Sequence, residues 1–237
     1  MRFPSPLVRG TLVRRYKRFL ADVELADGSG VVVAHCANSG SMLTLREPGS
    51  EVWLSPATGA GRSCRYTWEL VRCREGLVGV NTGLPNHLVA EAIGRGHISE
   101  LAGYGSLRRE VKYGSGSRID LLLEDPSRPA CYVEVKSVTL RRGSSSDPVA
   151  EFPDAVTARG TRHLKELAAV ARAGSRAVML YLAQREDCRA IRIAADIDPG
   201  YNTALKESMA HGVETLCYSC TLDVGGIEVS LPLPLVF

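Results

Sequence analysis

Arg118-Ile119-Asp120-Leu121-Leu122-Leu123-Glu124-Asp125-Pro126-Ser127-Arg128-Pro129-Ala130-Cys131-Tyr132-Val133-Glu134-Val135-Lys136-Ser137 reads as two strands joined by a short proline-containing turn. Both apolar runs carry ionisable residues where the pattern calls for apolar ones. Side chains on a strand alternate between faces with period two. Glu134 and Lys136 therefore share a face, with Val133 and Val135 on the other. If the two strands pair as a hairpin, Asp120 joins the Glu134 face. Two carboxylates and a lysine then converge beside a core, an arrangement that is costly unless the charges are paired or bind a metal.

The chain around this stretch has 237 residues, 45% of them apolar, with a formal net charge of +3. That length is comfortable for two domains and needs no disulfide staples. Residues 1–81 hold eleven Lys and Arg against seven Asp and Glu, and the remainder is close to neutral. The positive excess of the first third hints at an anionic partner. Seven scattered cysteines make no disulfide framework, and Cys217-x-x-Cys220 lacks a second ligand pair for zinc. The N-terminus has no apolar run of signal-peptide type and no segment approaches the roughly 20 apolar residues that span a bilayer. A soluble, cytoplasmic protein without membrane partners is the expectation.

Residues 1–81 read as an all-β unit. Strands are expected over residues 7–13, 19–25, 31–35, 51–55 and 67–71, with Asp27-Gly28-Ser29-Gly30 as a hairpin turn. Five short strands in so few residues predict a small OB-like barrel. Between the first two strands lies Arg14-Arg15-Tyr16-Lys17-Arg18-Phe19. Its cations are suited to phosphates and its aromatic faces to bases. A solvated turn is the rival reading. The loop Ala37-Asn38-Ser39-Gly40-Ser41-Met42 is polar and contains glycine; it could serve a ligand, with a structural loop as the first reading.

Residues 82–237 change character. Asn86 is a candidate N-cap for a helix over residues 87–95, which carries Glu91. A charged strand over residues 107–113, the flexible Gly114-Ser115-Gly116-Ser117, and the two opening strands follow. After a polar stretch containing Ser144-Ser145-Ser146, Thr157 or Thr161 caps a helix ending near Gly174. Leu164, Leu167, Ala168 and Ala171 form its apolar stripe. A buried strand over residues 177–183, a short one over 190–193 and a helix over 201–212 complete the order. This α-β-β-β-α-β succession predicts an α/β domain with a mixed sheet.

Two hard carboxylates suit Mg²⁺ or Mn²⁺, which shields the charge developing on a phosphodiester, and a lysine on the same face can stabilise the transition state. The spacing Ile119-Asp120 followed by Glu134-Val135-Lys136 matches the signature of the PD-(D/E)xK nuclease superfamily, with Ile119 where the motif's name has Pro. Glu91 stands on the preceding helix, where related enzymes often have an accessory carboxylate. Further blocks are Asn81-Thr82-Gly83-Leu84-Pro85-Asn86, Glu110-Val111-Lys112-Tyr113-Gly114, Phe152-Pro153-Asp154-Ala155-Val156-Thr157-Ala158-Arg159-Gly160, Gln184-Arg185 and, near the N-terminus, Arg18-Phe19-Leu20-Ala21-Asp22-Val23 and Ser39-Gly40-Ser41-Met42. Together they resemble the sugar fermentation stimulation protein A family. That resemblance implies an N-terminal OB-like domain, a C-terminal restriction-endonuclease-like domain, DNA binding without marked sequence preference, and a link to regulation of sugar metabolism.

The expected site therefore has Asp120, Glu134 and Lys136 as catalytic residues, with Asp120, Glu134 and Glu91 around Mg²⁺ or Mn²⁺. The expected nucleic-acid contacts are Arg14, Arg15, Tyr16, Lys17, Arg18, Arg118, Arg159, Arg162, His163 and Lys165, the last four near a helix N-terminus that attracts phosphate. Gln184 is a candidate second-layer residue. Two rival readings remain open from the residues: a DNA-binding regulator whose nuclease-like site is inactive, and a purely structural ionic cluster.

Overall fold

The computed structural model describes residues 1–57, 63–73, 76–114, 116–144 and 146–237. Ser115 of the Gly-Ser connection and Ser145 of the serine run lie outside the described residues. The N-terminal strands are β1 (Val8–Tyr16), β2 (Leu20–Leu25), β3 (Val31–His35), β4 (Glu51–Pro56), β5 (Tyr66–Cys73) and β6 (Gly76–Gly79). They pair in the order β3-β2-β1-β4-β5-β6, and a further parallel pairing of β3 with β5 closes the first five into an OB-like barrel. Closure removes the open edges that a flat sheet would expose. Register slips at Val13, where β1 bends between its two neighbours. Leu12, Val23, Ala34, Leu54 and Trp68, all 1% exposed or less, fill the barrel.

The C-terminal part begins with helix α1 (Pro85–Gly94), a 3₁₀ turn at Ser99–Leu101, and strands β7 (Ser106–Tyr113), β8 (Ser117–Asp125) and β9 (Arg128–Val138). There follow β10 (Val149–Phe152), α2 (Ala158–Arg172), β11 (Arg176–Ala183), β12 (Ala190–Ile193), α3 (Pro199–Ala210), β13 (Val213–Asp223), β14 (Gly226–Pro232) and β15 (Leu235–Val236). The main sheet runs β14-β13-β11-β9-β8-β7, parallel through β9, β11 and β13 and antiparallel at both edges. A small parallel sheet, β10-β12-β15, lies beside it. The arrangement is the mixed sheet of restriction-endonuclease-like type.

Strand β11 explains why its sequence shows no alternation. Helix α1 packs on one face of the sheet and helices α2 and α3 on the other. Val178, Leu180 and Leu182 enter the first core, and Ala177, Met179, Tyr181 and Ala183 the second. Each fully buried Val or Leu contributes roughly 1.5–3 kcal/mol. Helix α2 begins where expected, with Thr157 Oγ1 accepting the Gly160 N–H at 3.0 Å. Helix α1 does not. Leu84 is its N-cap and Pro85 takes the first helical position. Asn86 is therefore inside the first turn, with its side chain free for another task. Strands β6, β10, β13, β14 and β15 are not among the strands the sequence predicts. Cys217 and Cys220 lie on β13, three apart and hence on opposite faces, each a buried free thiol. Among the described residues no helix is long and apolar enough to cross a membrane.

The barrel and the mixed sheet are joined by apolar packing and by backbone hydrogen bonds. Trp53, Leu70 and Leu77 of the barrel pack in the same core as Leu88, Leu180 and Tyr218. The Gly79 N–H donates to Gln184 O at 2.9 Å, and the Thr82 N–H to Ala37 O at 3.0 Å. A second clasp crosses from the loop after β10. One Asp154 carboxylate oxygen accepts the Met42 N–H at 3.1 Å, and the Ser41 hydroxyl donates to Asp154 O at 2.8 Å. Gly40 lies so close that a Cβ there would meet Asp154 Oδ2 at 2.4 Å. Gly40→Ala is therefore expected to destabilise the protein by about 1–3 kcal/mol, as overpacking does. In an Asp154→Ala background the same substitution should cost markedly less, a coupling that a double-mutant cycle read by thermal denaturation measures.

Candidate metal site and nucleic-acid groove

The site forms where β8 and β9 part. Their pairing runs through Leu121↔Val133. Beyond it, the Val135 N–H donates to Asp120 Oδ2 at 2.7 Å. The carboxylate satisfies a backbone donor that would otherwise be stranded in the sheet interior. Alternation on β8 breaks at the same point. Ile119 packs in the core under α2 and Leu121 in the core under α1, although residues two apart normally share a face. On the neighbouring strand β7, Glu110 adopts φ +54°, an uncommon conformation for a residue with a side chain. Asn86 ties the two together, its Nδ2 donating to Asp120 Oδ1 at 2.8 Å and to Glu110 Oε1 at 3.2 Å.

Glu134, 2% exposed, points to the α2 side. Its Oε1 accepts from Lys136 Nζ at 2.8 Å and from His163 Nδ1. His163 Nε2 in turn accepts from Arg159 Nε at 3.3 Å. These two bonds specify the His163 tautomer with its proton on Nδ1. Glu134 Oε2 is buried and has no hydrogen-bond partner among the described residues. Burial, and then the charge of Glu134, push the Asp120 carboxyl up to about 6. Burial also acts to raise Glu134, but the His163 hydrogen bond and the Lys136 charge outweigh it and hold that carboxyl below its ordinary range. Tyr113 is raised by burial and by the nearby Glu134 and Glu166 carboxylates. The pair thus has one carboxyl held below its ordinary range and one pushed above it, the electrostatics of two acids short of positive charge.

These residues fit a hard divalent cation. The donors are carboxylate oxygens, one of them buried with an open valence, and Mg²⁺ takes one or two carboxylates and keeps several waters. Residues that could hold it are Asp120 and Glu134.

Glu91 is corrected. Its carboxylate pairs with the Met1 ammonium at 3.0 Å and with Arg95 at 2.6 Å, on the helix side that packs against β14. The helix residue that reaches Asp120 is Asn86, more than one turn earlier. His163 is corrected too. At 3% exposure it cannot meet a DNA backbone, and it braces Glu134 instead. Its position was legible as Gly160, His163, Leu164 and Leu167 share the buried stripe of α2. Arg15 spends its guanidinium on the carbonyls of Arg18, Asn38, Gly40 and Ser41, so it ties loops and does not face phosphate. Arg14 pairs with Asp22 at 2.7 Å and lies over the Tyr16 ring. Lys17 and Arg18 form an exposed turn with φ of 47° and 64°. Arg118, Arg159, Arg162 and Lys165 are exposed. Gln184 is fully buried, donating to Ser137 Oγ at 3.0 Å, so it supports the residue after Lys136 from behind.

Between the two halves lies a groove of about 400 Å³ with Lys136 and Asn86 on one wall and Arg18, Asn38 and Ser39 of the barrel on the other. Fold and site thus define an OB-like barrel joined to a restriction-endonuclease-like domain. A family described as "Sugar fermentation stimulation protein RE domain" matches residues 83–226, and one described as "SfsA N-terminal OB domain" matches residues 13–80. The chain belongs to the sugar fermentation stimulation protein A family. A "Sugar fermentation stimulation protein homolog" of Paramagnetospirillum magneticum is 59% identical over 98% of this chain and 97% of its own length. That of Rhodospirillum rubrum is 56% identical over 100% of this chain and 99% of its own. The solved structure of Pyrococcus furiosus SfsA in complex with Ca²⁺ is 28% identical, with a TM-score of 0.89 over 100% of this chain and 98% of that one.

The Asp120 carboxyl titrates at about 6 when folded and near 3.8 ordinarily. The folded state therefore binds more protons in that window, and its stability falls as pH rises through it. Asp120→Asn removes this titration, so the metal-free variant is expected to lack the fall in stability that the wild type shows between about pH 4 and pH 7, although its amide leaves one of the two donors facing it without an acceptor. Denaturant melts in chelator across pH check this, and the same fall in both proteins would contradict it.

Proposed function

We propose that this protein binds DNA with little sequence preference along the groove and hydrolyses a phosphodiester at Asp120, Glu134 and Lys136 with Mg²⁺ or Mn²⁺. The observation that carries the reading is the buried, unpartnered Glu134 Oε2 beside an Asp120 carboxyl raised by burial and by its neighbour. The Ca²⁺ bound to the Pyrococcus furiosus protein supports a divalent-cation site in this fold. Asp120 and Glu134 would hold the ion, which when bound supplies Lewis-acid shielding of the phosphate's developing charge. The chain's own residues do the rest. Asn86 and the Val135 N–H fix the Asp120 carboxylate, and His163 fixes Glu134 from the side opposite the open valence. Lys136, half-buried on the same face, turns its ammonium to the attacking water or to the pentavalent phosphorus oxygens. Exposed Arg18, Arg118, Arg159, Arg162 and Lys165 neutralise backbone phosphates, which carry no sequence information.

The Lys136–Glu134 ion pair at 2.8 Å favours a second reading, a non-enzymatic DNA binder in which that pair closes the site. The two readings part on cleavage. The first expects Mn²⁺- or Mg²⁺-dependent cutting of DNA, lost by at least about 100-fold in Lys136→Ala and in Asp120→Ala. The second expects salt-sensitive binding that survives Asp120→Ala, with no cleavage of single- or double-stranded DNA by the wild type. The sugar-metabolism link that the family's name carries is a proposal of the same rank, and expression profiling of a deletion strain tests it.

A further inference from the structure

We infer that the groove between barrel and sheet is a pocket for one unpaired nucleotide, so that the nucleic acid this protein takes is single-stranded or frayed beside Lys136. The inference rests on the reading that the site meets nucleic acid. A volume of about 400 Å³ suits a small-molecule-sized group. As a sphere it would be roughly 9 Å across, narrower than the major groove of B-DNA alone at about 12 Å. Its walls do not part easily to admit a duplex. The barrel and the sheet share one apolar core, and the Asp154 clasp to Ser41 and Met42 crosses the groove itself.

The lining has the chemistry of a nucleotide site. Two acids line it, and one of them, Glu151, is charge-paired. Asp154 accepts the Met42 N–H, and Glu151 accepts Arg142 Nε at 2.8 Å and Nη2 at 2.9 Å. Two arginines line it without a carboxylate partner among the described residues. Arg18 donates to Ser39 O at 3.1 Å and Arg159 to His163 at 3.3 Å. Arg14, Arg142 and Arg192, which do not line it, are ion-paired. Arg18 and Arg159 thus outnumber Asp154, the one lining carboxylate without a cationic partner among the described residues, and the balance facing the pocket is cationic. Beside the cations lie Phe152, held edge-on to Tyr201 at 5.2 Å, and Val156, 75% exposed on the lip. Cations for phosphate with apolar surface for a base face are what sequence-tolerant single-strand sites combine. A free phosphate would use the cations and leave the apolar wall idle.

The test uses the full chain in EDTA, so that binding is read without cleavage. The probes are a short fluorescein-labelled single strand, a blunt DNA hairpin, and the same hairpin with an unpaired tail. Fluorescence anisotropy is expected to show the single strand and the tailed hairpin bound about ten-fold more tightly than the blunt one. Arg18→Ala/Arg159→Ala should bring that ratio to about one, and Ser39→Tyr, which fills the groove from an exposed loop position, should do the same without removing a cation. Near-ultraviolet circular dichroism checks that both variants stay folded. Equal affinity for blunt and tailed hairpins, or a preference untouched in both folded variants, overturns the inference. Cleavage of the same probes with Mn²⁺ is scored separately. A strand preference with no cleavage keeps the pocket and removes the nuclease reading, whereas cleavage of blunt duplex with no preference does the reverse.

Discussion

The hydrogen bond from Val135 N–H to Asp120 Oδ2 replaces a rung of the ladder between β8 and β9, and the site is built around that replacement. Above it the strands pair normally, down to Leu121 and Val133. Below it β9 stays in register with β11 alone, through to Ala183↔Val138. The gap that opens is where Glu134 and Lys136 project. A buried N–H left without an acceptor costs about 1–3 kcal/mol, so the carboxylate is needed to stabilise the fork as well as to face it. The positive φ of Glu110 and the broken alternation around Asp120 are the backbone's accommodation to the same event.

Around the fork the charges are arranged in a chain in which almost every group has a partner. Arg159 donates to His163, His163 to Glu134, Lys136 to the same Glu134 oxygen, and Asn86 to Asp120. Buried charges persist when they are paired and hydrogen-bonded. Among the described residues the buried exceptions here are Glu134 Oε2, Glu166 Oε2 and the Tyr113 hydroxyl, and Glu134 acts on an Asp120 carboxyl already displaced from its ordinary range. Stability alone would favour removing such a pair. Functional sites are where perturbed groups of this kind concentrate.

The barrel is bound to this site by more than a linker. Trp53, Leu70 and Leu77 enter the sheet's core, β6 pairs with the chain after β11, and Asp154 reaches back to the loop that carries Gly40. The loop that carries Asn38, Ser39 and Gly40 forms one wall of the groove. Arg15 holds that wall by its carbonyls, which is why a residue with the composition of a phosphate contact is a brace instead.

Much was legible before any coordinates. The spacing of Asp120 with Glu134-Val135-Lys136 placed two carboxylates and a lysine at one end of two strands, because period-two alternation is a property of the backbone. Turn residues and short alternating runs gave the five barrel strands, and the stripe on α2 gave its buried face. Strands β6, β10, β13, β14 and β15 are not legible in the sequence because short or Cys- and Thr-containing segments take strand form only through their neighbours. Asn86, and not Glu91, reaches Asp120 because Pro85 starts α1 earlier than a capping Asn86 would, turning Asn86 toward Asp120 and Glu91 toward Met1 and Arg95. His163 meets Glu134 because it is in phase with Gly160, Leu164 and Leu167 on the buried stripe of α2, whereas its charge type alone groups it with the exposed Arg159, Arg162 and Lys165. The sequence by itself determined which residues carry charge into the sheet, since local periodicity fixes their faces. Only the tertiary structure decided which partners those charges meet, since Asn86, His163 and the barrel loop reach them from elements distant in the chain.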